Sequence, residues 1–163
     1  RTNWINDRHS YTALTSRRVE ISPRRAADWP RQYEWLVQLY PRDVLWNLPI
    51  HPKRFKPGLL SGFTRFMLSE RIEHWAARTS SGLLGIITWE PSRTYADNLW
   101  LAASPTTEDA AVASLLPSIR SLIITQRPLS LNYPSGRAVD ALNAAGFRDT
   151  QTLIWMEKPL QAG

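Results

Sequence analysis

The spacing of apolar residues along this chain switches repeatedly, from alternate positions to every third or fourth and back, and that switching restricts it to a mixed α/β domain. Helical recurrence is plainest after Pro105, where Val112, Leu115, Leu116, Ile119, Leu122 and Ile123 share one face. Thr106 or Thr107 is the expected N-cap of that helix, and Pro117 is expected to kink or interrupt it. An earlier helix is expected from Asp28, carrying Trp29, Tyr33, Leu36 and Leu39 or Tyr40, and stopping at Pro41. Another carries Leu59, Leu60, Phe63, Phe66 and Met67. Strands are expected at 17–22, at 72–78 and 83–89 as a hairpin, at 98–104, at 129–133 and at 153–156. Residues 135–145 read as a short helix closed by Gly146, the residue best suited to a left-handed C-cap.

With 163 residues the chain suits a single core, for which we expect an arm or linker at 1–16, a domain at 17–159 and a tail at 160–163. The absence of cysteine removes disulfides, thiolate metal sites and cysteine nucleophiles, and suits a reducing, cytoplasmic setting. No apolar run approaches the roughly 20 residues of a membrane span, so no membrane partner is expected. The net charge of +6 lies in the first 60 residues, which hold 11 Lys/Arg against 5 acids, while the remainder holds 9 of each. No zinc-finger, helix-turn-helix or stacking-platform pattern accompanies it, so this is read as a solvated basic face and no nucleic acid is expected. His9, His51 and His74 have no metal-ligand spacing, and no phosphate-loop, dinucleotide or GxSxG motif is present. The loop 41–57 carries Leu45, Trp46 and Leu48 among prolines and cations, as a segment does that covers a cleft or meets another subunit.

The order strand, two helices, hairpin, strand, helix, strand, helix, strand ends in Ala141-Leu142-Asn143-Ala144-Ala145-Gly146-Phe147 and then Trp155-Met156-Glu157-Lys158. Over residues 17–159 this resembles the GNAT superfamily of acetyl-CoA-dependent acyltransferases. The resemblance implies an acyl-CoA N-acyltransferase fold, acetyl-CoA as cofactor, and a small-molecule or peptide amine as acceptor. It places the thioester along the strand backbone of Leu101, Ala102 and Ala103. The diphosphate falls on a loop and helix N-terminus at Thr107, Ala110, Ala111 and Val112, with a further contact at Ser135. The family's Arg/Gln-x-x-Gly-x-Gly/Ala pattern lies on Thr107-Glu108-Asp109-Ala110-Ala111-Val112, so its basic residue and glycines are replaced, and two carboxylates enter the first turn. The tyrosine that protonates the leaving thiolate corresponds to Leu142, so the proton would come from another donor, such as Tyr133 on the preceding strand or an ordered water. Glu90 and Asp97, flanking strands that border the implied cleft, are the candidate bases. The alternative implied by these departures is a non-catalytic GNAT-like domain, such as one half of a tandem pair, that forms an interface or substrate wall for a partner GNAT domain or a second copy.

Overall fold

The computed structural model describes residues 1–7, 19–58, 71–123 and 125–154. Seven strands form one mixed sheet: β1 (Thr2–Asn6), β2 (Glu20–Pro23), β3 (Glu73–Thr79), β4 (Gly82–Glu90), β5 (Asp97–Ala103), β6 (Leu129–Tyr133) and β7 (Arg148–Thr152). Their spatial order is β2-β3-β4-β5-β6-β1-β7, with β5 and β6 parallel and every other described pairing antiparallel. The helices are α1 (Trp29–Leu39), α2 (Arg42–Leu45), α3 (Glu108–Leu122) and α4 (Val139–Ala144), with single 3-10 turns at Ala26–Asp28 and Pro52–Phe55. The helix expected around Leu59 to Met67 lies outside the described residues.

Strand β4 is buried from Leu84 to Glu90, as a strand covered on both faces must be. On one face Gln32 of α1 donates to Thr88, and Tyr40, just past α1, packs edge-on against Trp100 at 5.6 Å. On the other, α3 lays Ala111, Val112, Leu115, Leu116 and Ile119 on the sheet, all fully buried. That stripe explains why Pro117 does not break α3, which runs unbroken from Glu108 to Leu122: apolar burial on both sides of the proline outweighs one missing N–H bond. Helix α4 ends as the sequence foretold. Gly146, at φ +76°, donates to the Asn143 carbonyl, and Phe147 donates to that of Leu142 with both side chains buried, which is a Schellman cap.

Two expectations are corrected. Residues 2–6, expected within an arm or linker, form an interior strand. Strands β6 and β7 are joined through α4 and run in the same direction with one strand's width between them, and β1 fills that width in antiparallel register with both. Its inward positions are Thr2, Trp4 and Asn6, two of them polar, so no apolar alternation announced it. Asn6 is satisfied there by donating to the Gly146 carbonyl at 2.9 Å and accepting from Arg120 at 3.0 Å. The last described strand lies at Arg148–Thr152, and Leu153 and Ile154, where the strand was expected to begin, follow it without strand structure. All five of its residues are exposed, because an edge strand held by β1 needs no apolar face, and Trp155 and Met156 lie outside the described residues.

Helix α3 approaches the sheet tightly at Gly85, where an added Cβ would sit 2.7 Å from the Ala111 Cβ, 3.1 Å from the Ala102 carbonyl oxygen and 3.2 Å from the Ala103 Cβ. Gly85→Ala is expected to push α3 outward and lower unfolding free energy by about 1–3 kcal/mol, read from urea denaturation. An unchanged midpoint would show that the helix is not held at this distance.

Candidate functional site

The parallel pairing of β5 with β6 covers Asp97↔Leu129, Asn98↔Ser130 and Leu99↔Leu131, and stops there. Strand β5 continues to Ala103 and β6 to Tyr133, so past Leu99 the two diverge, and the edges they turn towards each other have no strand between them among the described residues. The three backbone positions the resemblance assigned to the thioester, Leu101, Ala102 and Ala103, line β5 in this diverging stretch. Their side chains are fully buried, so only their main chain is offered.

Asp97 lies at the opposite, closed end. Its carboxylate accepts from Trp89 Nε1 at 3.2 Å, Thr125 Oγ1 at 2.9 Å and the Ser92 amide at 3.1 Å, and pairs with Arg127 at 3.3 Å. Its own amide donates to the Pro128 carbonyl at 2.9 Å. A carboxylate 2% exposed with this many donors is an anchor joining β4, β5 and the α3–β6 loop. The geometry thus separates Asp97 from the gap where it was expected to act. Glu90 accepts from Trp100 Nε1 at 2.8 Å and pairs with Arg54 at 3.0 Å, which ties the Pro52–Phe55 turn to the sheet on the α1 side.

At the open end, Glu108 in the first turn of α3 turns inward, 6% exposed, and Arg137 from the β6–α4 turn binds its Oε2 through both Nε, at 3.0 Å, and Nη2. Tyr133, fully buried, is the electrostatic neighbour of that carboxylate. Burial first, and then Glu108, raises the Tyr133 phenol well above its ordinary 10.0. A proton donor for a departing thiolate needs the reverse shift, so in this arrangement Tyr133 is a poor acid. On the α1 side the gap is filled by Tyr40 and Arg1. The Arg1 guanidinium lies 4.6 Å from the Tyr40 ring and donates to the Leu39 carbonyl at 2.6 Å and the Asn132 carbonyl at 3.0 Å. Sequence reasoning missed both residues: Arg1 belonged to the expected arm, and Tyr40 carried only a helix-face signal.

Among the expected diphosphate contacts, Thr107 directs its hydroxyl to the Leu84 carbonyl at 2.8 Å and so does not cap α3. Ala111 and Val112 are packed in the core, and the Ala111 amide is already bonded to the Thr107 carbonyl at 2.9 Å. Of these four positions only Ala110 is exposed. Ser135 is exposed in the turn after β6. Beside that turn a cleft of about 470 Å³ runs between α3 and α4, lined by Asp109, Ala113, Gly136, Ala138, Val139, Asp140 and Ala141. Its two charged walls are both acidic. Leu142 is buried in α4 and carries no dissociable proton. Among the described residues no group of three or more His, Asp or Glu side chains is placed to hold a metal, and no helix is long and apolar enough to cross a membrane.

Burial pushes the Tyr40 phenol up to about 12, so two buried tyrosines resist ionisation. A raised folded-state value means that the neutral form contributes its full stability below pH 10.0 and loses it as pH climbs through about 12. Phenolate absorbance is therefore expected to keep a late component from the buried tyrosines, rising near pH 12 together with loss of near-ultraviolet dichroism. Full ionisation at about pH 11 with the fold intact would contradict this burial.

No family model matches the sequence, and no curated protein is detectably similar to it. Solved structures do match. A functionally unknown conserved protein from Staphylococcus epidermidis ATCC 12228 superposes with TM-score 0.51 at 11% identity, over 91% of this chain and 57% of that one. A GNAT-family acetyltransferase candidate from Novosphingobium aromaticivorans DSM 12444 superposes with TM-score 0.50 at 11% identity, over 92% of this chain and 60% of that one. The chain thus spans under two thirds of the length of either structure. The diverging β5–β6 pair, the four-stranded antiparallel half and these superpositions agree: the chain has the GNAT acyl-CoA N-acyltransferase fold.

Proposed function

We propose that this domain is an acyl-CoA-dependent N-acyltransferase whose thioester arm enters the gap between β5 and β6. The observation that carries the reading is the end of strand pairing at Leu99 and Leu131, which among the described residues leaves the facing main chains of Trp100–Ala103 and Asn132–Tyr133 with no strand between them, bridged only by side chains such as Arg1 on the Asn132 carbonyl. An extended amide-bearing arm satisfies such groups as an added strand does. The bound acyl thioester would supply the activated acyl group. The chain's part is to align its carbonyl with a backbone amide of β5, hold the acceptor amine against it and keep water out. Glu90 is the candidate base on the α1 side of the sheet, and it acts only once Arg54 releases it. Tyr133 serves as proton donor only if Glu108 is drawn away.

The diphosphate end fits less well. Glu108 stands at the α3 N-terminus where an anion would be placed, and Asp109 and Asp140 flank the adjoining cleft. Arg137, the cation that reaches this end among the described residues, is already engaged by Glu108. This ion pair is the specific observation favouring a second reading, a non-catalytic GNAT-fold domain acting as an interface or substrate wall beside another such domain. Calorimetric titration with acetyl-CoA and desulfo-CoA separates the two. The first reading expects saturable binding by wild type and about tenfold tighter binding by Glu108→Gln, because that substitution removes a like charge and frees Arg137 for the diphosphate. Absence of binding by both proteins at millimolar ligand would establish the second.

A further inference from the structure

A second cavity lies on the α1 side, away from the α3–α4 cleft. It measures about 320 Å³, within the range of small-molecule sites. Tyr33, Val37 and Tyr40 form one wall, at the i, i+4, i+7 spacing of a single helical face. Leu45 and Pro52 extend the apolar surface, and Arg42, His51 and Lys53 stand at its rim. Tyr40 is common to this cavity and to the β5–β6 gap: one side of the residue lines the cavity, and its ring packs on Trp100 of β5. A molecule seated here is therefore one side chain away from the backbone proposed to hold the thioester.

The charge of the lining is one-sided. Two permanent cations and a histidine converge on the cavity, and none of its lining residues is acidic. Neither Arg42 nor Lys53 belongs to any ion pair among the described residues. The nearby Glu90 carboxylate is held by Arg54 and Trp100 instead. Cations on a convex surface are ordinary, but here they rim a concave aromatic wall, a combination that matches a ligand with an apolar body and an anionic group. A polyamine would meet repulsion at the same rim.

We infer that the cavity is the acceptor subsite and that the acceptor is an amine carrying a carboxylate on an apolar or aromatic body, not a polycation. The anion rests between Arg42 and Lys53, the apolar body against Tyr33 and Val37, and the amine points past Tyr40 towards β5. The assignment builds on the acyltransferase reading, yet its test needs no acyl donor, so the two fail separately.

The test is a titration of the full chain, followed by chemical shifts or calorimetry, with N-acetyl-phenylalanine, N-acetyl-phenylalanine amide and spermidine. Saturable binding of the carboxylate at about 10 mM or below is expected, with the amide at least about tenfold weaker and spermidine weaker still. Arg42→Gln and Lys53→Gln, both at exposed positions, are each expected to weaken the carboxylate about tenfold while leaving the thermal midpoint in place. Equal binding of carboxylate and amide, preference for spermidine, or no binding by a folded wild type would overturn the assignment. Loss of acetyl-CoA binding with retention of carboxylate binding would instead overturn the acyltransferase reading and leave the cavity as an anion site.

Discussion

Three residue pairs between β5 and β6 join the two halves of this sheet, and the buried Asp97 carboxylate holds that junction closed. It draws Trp89 from β4, Ser92 from the β4–β5 loop and both Thr125 and Arg127 from the α3–β6 loop onto one point at the start of β5. Removing one partner of such a network leaves its donors buried and unpaired, which is why buried carboxylates of this kind act as fixed points. With one end pinned, the divergence of the strands is confined to the other end, and the gap acquires a defined place. Strand β1 completes the smaller half. Without it, β6 and β7 would face each other across an empty strand's width, and the carbonyls and amides of both would lose their partners.

What fills the open end decides what the domain does. Arg1 and Tyr40 close it from the α1 side, and Glu108, Arg137 and Tyr133 close it from the α3 side. The two arginines and one carboxylate leave a net positive charge around the gap, which suits an incoming anion once the Glu108–Arg137 pair separates. Paired, the same residues form a plug. The competition between an internal carboxylate and an external phosphate for one arginine is thus the physical question on which catalytic and non-catalytic readings divide.

The sequence revealed the elements whose burial is periodic. The α3 stripe, the β3–β4 hairpin and the Gly146 cap stand where their patterns put them, because core helices and two-sided strands are apolar by necessity. Strands β1 and β7 were missed for the complementary reason: one buries Thr2 and Asn6 through hydrogen bonds, and the other is fully exposed, so neither carries an apolar signature. At the site, the charge conflict at Glu108 was legible from its place in the first turn of α3. Its resolution by Arg137 was not, since those residues are 29 apart and meet only through the sheet. The anchoring contacts of Asp97 were not legible, because a carboxylate at a strand end looks the same in sequence whether it faces a cleft or anchors a loop.

Hydrogen exchange at the backbone amides of β5 tests the account most directly. In the free protein, amides around Asp97 and Leu99 are expected to exchange slowest, and those of Trp100–Ala103 that point away from β4, which have no strand partner among the described residues, to exchange faster than these. Desulfo-CoA is expected to slow the second group and leave the first unchanged. Uniform protection along β5 in the free protein, or no change with ligand at saturating concentration, would contradict an open gap that receives a thioester arm.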